Sequence, residues 1–335
     1  MNKRILVTGG CGFIGSHTVV ELILNGYQVV VVDNLSNSSA SVIDKIQKVT
    51  GKRPDFHQVD ICDIDALTGV FRQYSIDGVI HFAALKNPQE SYQLRDQYFT
   101  TNVDGTRKLL SVMKAFSVTR LVFSSSAVVY GNPSTVPIPE SAPAGDVTNP
   151  YGETKFQSEC DLSHYCNSNA NFSAVSLRYF NPAGAHPSGG LGEQPLKPAA
   201  NLVPAIGDVI TGKADSVHVY GHDYLTDDGT AIRDYIHVCD IAKGHVAALE
   251  VGFAQTGHQV FNLGTGKGES VLEVIRAFEK ASGRTIPVQF SGRRQGDVES
   301  CYAEVDKAHR ELNWRAESDL SVIARDYCHW LSLSS

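Results

Sequence analysis

Residues 5–17 read ILVTGGCGFIGSH: a short apolar run of strand character, then Gly9, Gly12 and Gly15 spaced G-x-x-G-x-x-G, then the opening of a helical period. Few features restrict a fold as much. The chain must turn sharply, let its backbone approach a pyrophosphate and pack a helix close to a sheet, and only glycine permits all three. The helix that follows offers free N–H groups to phosphate. Asp33, at the end of the next apolar run, can hold both ribose hydroxyls of an adenosine and would repel a 2′-phosphate, and the "NLSNS" after it brings no arginine. The expected ligand is NAD rather than NADP. A tight turn beside a solvated aspartate is the plainer reading, and the flanking strand and helix count against it.

Short Val- and Ile-rich runs then alternate with longer segments of helical period, which predicts a doubly wound, Rossmann-type parallel sheet covered by helices. Strands are expected at Arg4–Thr8, Gln28–Asp33, Phe56–Val59, Gly78–Phe82, Arg120–Ser125 and Ser173–Arg178, and helices at Gly15–Asn25, Ser41–Thr50, Asp63–Tyr74, Gln97–Phe116 and Pro150–Asn167. After Arg178 the Gly- and Pro-dense "NPAGAHPSGGLGEQPLKP" reads as a functional loop. It divides a dinucleotide domain, 1–180, from a smaller mixed α/β substrate lobe, 181–335, with 235–255 expected to pack back on the first. The lobe should carry helices at Ala200–Thr211, His237–Phe253, Ser270–Ser282 and Leu320–Leu331, the third opened by a Ser270–Glu273 capping box.

A chain of 335 residues with 42% hydrophobic and 19% charged residues, and no apolar run of membrane-spanning length, argues against a membrane protein. A net charge of −7 with mixed signs gives no basic footprint for nucleic acid. Seven cysteines form an odd set without a C-x-x-C pair, which speaks against a disulfide framework and a zinc ribbon, and the N-terminal MNKRILVTGG lacks the pattern of a secretory leader. Reduced thiols in the cytoplasm are the expectation. His218, His222 and Asp223 lack a second ligand cluster, so no metal is expected.

The stretch "NPYGETKFQSE" sets Tyr151 and Lys155 four apart, on one face of a helix that Pro150 is suited to start. Alone, that spacing describes a packed tyrosine beside a snorkelling lysine. "FSSSAVVYG" changes the balance, because Ser124, Ser125 and Ser126 fall at the carboxyl end of the fifth strand, where such sheets bind ligands. A serine hydroxyl there can bond a substrate oxygen while Tyr151 takes or returns its proton. A phenol with a pKa of about 10 is a poor base, so the Lys155 ammonium and a positive nicotinamide must stabilise its phenolate.

Together these residues resemble the extended short-chain dehydrogenase/reductase family. "LRYFNPAGAHPSG", "DDGTAIRDYIHVCDIAKGHVAAL", "FNLGTGKGESVLEVI" and "RRQGDVESCYAEVDKAHRELNW" extend the resemblance over essentially the whole chain, to that family's UDP-hexose 4-epimerases. The resemblance implies interconversion of UDP-galactose and UDP-glucose through a 4-keto sugar with NAD that stays bound, in a homodimer pairing the helices near Gln97–Phe116 and Pro150–Asn167. It implies catalytic roles for Ser126, Tyr151 and Lys155. It implies NAD contacts from Gly9, Gly12, Phe13, Ile14, Gly15, Asp33, Asn34, Asn37, Asp60, Ile61, Phe82, Ala83, Lys86, Asn102 and Ser124, besides Tyr151 and Lys155, with Tyr179 beside the nicotinamide. For the nucleotide sugar it implies Asn181, Asn201, Leu202, Tyr220, Arg233, Tyr235, Arg294 and Asp297, along with Ser126 and Tyr151.

Asp60 taken alone is equally a helix cap. Arg233 and Arg294 suit a bidentate diphosphate clamp, although a lone arginine is more often a solvated surface charge. Cys301 stands where members confined to unsubstituted hexoses carry tyrosine, leaving room for the N-acetyl group of UDP-N-acetylglucosamine and UDP-N-acetylgalactosamine. A small packed residue is the other reading of it. In "FAALKNPQES" the chain departs from the family at Ala84 and Pro88, beside the expected nicotinamide. A 4,6-dehydratase would need an Asp–Glu pair where Ala127 and Val128 stand, and a non-catalytic NAD sensor would have little need of Tyr151 and Lys155.

Overall fold

The computed structural model describes residues 3–194, 201–294 and 296–334. Strands β1 (Arg4–Thr8), β2 (Gln28–Asp33), β3 (Asp55–Gln58), β4 (Gly78–His81), β5 (Arg120–Ser126) and β6 (Ser173–Tyr179) form a parallel sheet. The apolar runs of β1, β2 and β4 do not alternate with polar residues, as expected where both faces are covered. One face carries α1 (Phe13–Leu24) and α2 (Ser41–Thr50), whose Val19, Val20, Ile43 and Ile46 join Ile5 and Val7 in one core. On the other face Leu67 of α3 (Ile64–Gln73), Met113 of α6 (Gly105–Ala115) and Leu162 of α7 (Pro150–Ser168) pack on Leu6, Val30 and Phe123. The short α4 (Pro88–Ser91) and α5 (Arg95–Tyr98) lie between β4 and α6.

Beyond β6 the chain adds β7 (Asn181–Ala183), α8 (Leu202–Ile210), β8 (Val217–Tyr220), β9 (Ile232–Arg233), β10 (Tyr235–His237), α9 (Val238–Ala254), β11 (Gly257–Leu263), β12 (Glu269–Ser270), α10 (Val271–Ser282), β13 (Val288–Ser291), β14 (Ser300–Cys301), α11 (Asp306–Leu312) and α12 (Leu320–Ser334). α9 lies in the same apolar layer as α1, through Ile241, Ala248 and Leu249. β11 is a seventh strand that the sequence did not announce. It pairs parallel with β6 and gives the order β11-β6-β5-β4-β1-β2-β3. Only its last three residues are buried, so it lacks the unbroken apolar run of its neighbours. A separate core joins Ile206 of α8, Val219 of β8, Phe278 of α10 and Tyr327 of α12. The capping box of α10 is formed, with Ser270 Oγ accepting from Glu273 N–H at 3.1 Å and Glu273 Oε2 accepting from Ser270 N–H at 2.7 Å.

The single helix expected over Gln97–Phe116 is α5, a π-helical turn over Phe99–Asp104, and then α6. Such wide turns tend to sit at functional sites, and this one contains the buried Asn102. The first residue of the helix expected at Ala200 lies outside the described residues.

Candidate active site

Three elements converge at the carboxyl ends of the central strands. At the β1–α1 turn Gly9 has φ +68°, and a Cβ there would stand 2.7 Å from Ala83 N. A Cβ on Gly15 would stand 2.2 Å from Gly9 O, so the helix can approach the turn only without one. No side chain caps α1 and its first turn holds no acidic residue, which leaves its positive end suited to phosphate. Asp33 is buried at the end of β2, where its carboxylate accepts from Cys11 N–H, Leu35 N–H and the Ser38 hydroxyl. Asn34 donates to Asp60 at 2.8 Å. Burial would raise the Asp60 carboxyl, but the Asn34 amide and the Cys62 N–H together hold it below its ordinary value. These features fit an adenine dinucleotide.

Other residues expected at the cofactor hold the cradle together. Asn102 Oδ1 accepts from Leu85 N–H at 2.8 Å, and its amide donates to Leu85 O and Thr154 Oγ1, each at 3.0 Å. It therefore clamps the loop carrying Phe82, Ala83 and Lys86 onto α7. Lys86 donates to Glu193 at 3.0 Å. Ile61 is buried against Gly105, where a Cβ would stand 2.7 Å from Ile61 Cδ1. Asn37 is exposed beyond Asp33. The departure at Pro88 is accommodated as the first residue of α4, capped by Asn87, and Ser91 of that helix accepts from Tyr151 N–H at 3.1 Å.

α7 begins at Pro150 with Asn149 Oδ1 accepting from Gly152 N–H at 2.9 Å, and this cap sets the phase that turns Tyr151 and Lys155 to β5. Lys155 is buried, donates to the Ser124 carbonyl at 2.6 Å, and holds its Nζ 5.9 Å from the centre of the Tyr151 ring. Burial pushes its ammonium down to about 7, against the opposing pull of the Glu159 carboxylate. Burial pushes the Tyr151 phenol up to about 12 although the Ser126 hydroxyl bonds it. Ser126 also accepts from Val128 N–H at 3.3 Å. Tyr179, at the end of β6, has its phenol raised well above the usual value by burial, and it bonds the Ser124 hydroxyl.

Sequence reasoning missed the supports. Glu159, one turn beyond Lys155, accepts from Arg178 Nε at 3.0 Å, Arg178 Nη2 at 2.6 Å and the Ser125 hydroxyl at 2.5 Å, all buried. The Lys155–Glu159 spacing of four is a legible signal for a shared face, whereas the separation of 19 between Glu159 and Arg178 carries none.

Of the residues expected at the nucleotide sugar, Asn181, Tyr220, Arg233 and Tyr235 lie on strands of the smaller sheets. Arg233 on β9 is in register with Cys301 on β14, and Tyr235 on β10 with Asn181 on β7. Arg233 Nη2 lies 3.9 Å from Asp297 Oδ1, and the Arg294 guanidinium stacks 3.7 Å from the centre of the Tyr220 ring. Asn201 occupies the cap position of α8 without using its side chain as the cap, and Leu202 follows it. Cys301 packs against the cluster of Ala127, Val129 and Phe180, which joins this group to the mouth of β5 and β6. Burial pushes its thiol up to about 11, so it stays neutral. Asp223 pairs with Arg293, and among the described residues no group of three His, Cys, Asp or Glu side chains could hold a metal ion.

A phenol and an ammonium on one helical turn, facing a strand-end serine beside a dinucleotide cradle, define a class: nicotinamide-dependent enzymes of the short-chain dehydrogenase/reductase type. Comparison with known proteins narrows it. Residues 5–264 match the NAD dependent epimerase/dehydratase family. The UDP-glucose 4-epimerase of Bacillus subtilis is 48% identical, the match covering 98% of this chain and 96% of the relative. The structure of the enzyme of that name from Stenotrophomonas maltophila with bound NAD and formylated UDP-arabinopyranose is 44% identical and superposes with a TM-score of 0.97, covering 99% of each chain. That from Bifidobacterium longum, in complex with NAD+ and UDP, is 46% identical with a TM-score of 0.96, covering 99% of this chain and 98% of the other. The chain belongs to the NAD dependent epimerase/dehydratase family and, within it, to the UDP-glucose 4-epimerases.

Proposed function

We propose that this chain interconverts UDP-galactose and UDP-glucose by inverting sugar carbon 4 through a transient 4-keto sugar. The observation that carries the reading is the joining of two chemistries: a Tyr151–Lys155–Ser126 acid–base group, and the Arg233 cation, in register with Cys301, which packs on the Ala127–Phe180 cluster at the mouth of β5 and β6. Bound NAD would supply the hydride acceptor and donor at carbon 4, so that the sugar is oxidised and then reduced on its opposite face. Tyr151 removes the proton of the carbon 4 hydroxyl and restores it, Lys155 stabilises the phenolate, and Ser126 holds the oxygen. Arg233 and Arg294 retain the diphosphate while the ketone turns over. The β1–α1 turn would hold the pyrophosphate of NAD, and Asp33 would hold its ribose hydroxyls. Residues 1–180, with 235–255, serve the cofactor, and 181–335 serve the UDP-sugar.

Purified protein should convert UDP-galactose to UDP-glucose, read by a coupled dehydrogenase, without added NAD. An inactive protein that retains NAD would overturn the reading in favour of a sensor.

The breadth of substrate follows from Cys301. A thiol is smaller than a tyrosine ring, and on that size difference we extend the substrates to UDP-N-acetylglucosamine and UDP-N-acetylgalactosamine. Cys301→Tyr should abolish turnover of the N-acetylated pair and keep that of UDP-galactose, and loss of both or of neither would refute this. No helix among the described residues is long and apolar enough to cross a membrane. We read the protein as a cytoplasmic homodimer pairing the segments near α6 and α7, which light scattering checks directly.

A further inference from the structure

We propose that His245 is a positioning residue for the nicotinamide end of the site, acting through Tyr179 and Phe82. It rests on the function proposed above. His245 lies on α9 with no exposed surface, and its Nδ1 is 2.9 Å from the Ile241 carbonyl. A carbonyl only accepts, so Nδ1 carries the proton and donates it. Burial holds the ring far below its ordinary pKa, at about 3, so it is neutral and Nε2 is bare. Nε2 then accepts from the Tyr179 hydroxyl at 2.7 Å.

Two consequences follow. The Tyr179 proton is committed to His245, so the Tyr179 oxygen meets the Ser124 hydroxyl as an acceptor. Tyr179 lies close enough to Tyr151 for their charges to interact, yet it has no proton to give. The site is left with one acid–base phenol. The same imidazole also packs 4.6 Å from the Phe82 ring and 5.3 Å from the Tyr179 ring, centre to centre. One rigid ring therefore sets both aromatic residues expected at the cofactor. A histidine that merely fills the core would need neither a fixed tautomer nor contact with both.

The test uses NAD-loaded full-length protein and the variants His245→Phe, which keeps the ring and loses the acceptor, His245→Gln, which keeps an acceptor, and Tyr179→Phe. Three quantities are read: kcat and KM for UDP-galactose, near-ultraviolet absorbance of reduced nicotinamide accumulating during turnover, and the rate at which borohydride reduces bound NAD without any sugar. His245→Phe should lower kcat roughly tenfold, as expected for one lost hydrogen bond. KM should hold within about twofold. Reduced nicotinamide should accumulate and the borohydride rate should change. Tyr179→Phe should do the same, the double variant should be no worse than either single one, and His245→Gln should recover most of the loss. Wild-type behaviour of His245→Phe in the absorbance and borohydride measurements, or additive effects in the double variant, would overturn the proposal. Should wild-type protein fail to turn over UDP-galactose, the proposed function falls, and the borohydride rates still decide the part played by His245.

Discussion

Lys155→Met isolates the electrostatic half of the proposed acid–base pair. In the protein alone the Tyr151 phenol stands at about 12, so ionising it at pH 7 costs about 7 kcal/mol, at 1.36 kcal/mol per pH unit. A positive charge 5.9 Å from the ring contributes about 3 kcal/mol at an effective dielectric constant of about 20. The Ser126 hydrogen bond already acts in the value of about 12, so the remaining ~4 kcal/mol must come from the positive nicotinamide. Removing the ammonium should therefore lower kcat roughly 100-fold, with KM changed little. A pH signature follows from the sign. Without Lys155 the phenol pKa lies about two units higher, so the variant's rate should keep climbing further into the alkaline range than that of wild type. The assay is the coupled conversion of UDP-galactose, with NAD content measured on denatured protein so that cofactor loss is separated from chemistry. A loss under about threefold with NAD retained, or a deficit that does not shrink at alkaline pH, would refute the argument.

Tyr151→Phe removes the acid–base group itself and should lower turnover by about 10²–10⁴ while leaving NAD and UDP bound; activity near wild type would contradict the assignment. Glu159→Gln removes one charge from a buried pair whose other member, Arg178, cannot shed its own. It should destabilise the fold by about 3 kcal/mol, read as a lower urea midpoint, and a change below about 1 kcal/mol would mean the pair is solvated. Burial holds His17, His81 and His245 down to about 3 from an ordinary 6.5. Between those values the unfolded chain binds more protons than the folded one, so stability must fall as pH falls. Three such groups contribute up to about 4 kcal/mol per pH unit near pH 5, and urea midpoints that stay level from pH 6.5 to 4.5 would refute neutral burial.

What the sequence made legible is what a local pattern can encode. Gly9, Gly12 and Gly15 answer steric demands set within one turn, and Asp33 follows at the end of the next strand. Tyr151 and Lys155 are joined by helical period, and the strand end that carries Ser126 follows from the β5 apolar run. β11 escaped because "GHQVFNL" is buried over three residues only, and nothing in a single strand names its partner. The π turn over Phe99–Asp104 escaped for another reason, since adding one residue to a helical turn leaves the apolar count intact and changes only which face Asn102 occupies.

The supports of the site escaped because each joins residues far apart in the chain. Ser91 meets Tyr151 across 60 residues and Tyr179 meets His245 across 66. Hydrophobic periodicity reports which face of an element is buried, but it does not report which polar group completes another's hydrogen bonds. Those partners follow from the burial itself. A phenol, an ammonium and an imidazole taken out of water must each find a donor or acceptor, at a cost of about 1–3 kcal/mol if they do not. The candidate reactive residues can thus be read from the chain, whereas the residues that hold them appear only once the sheet has brought β5, β6, α7 and α9 together. His245, silent in the sequence, is where that difference is open to measurement.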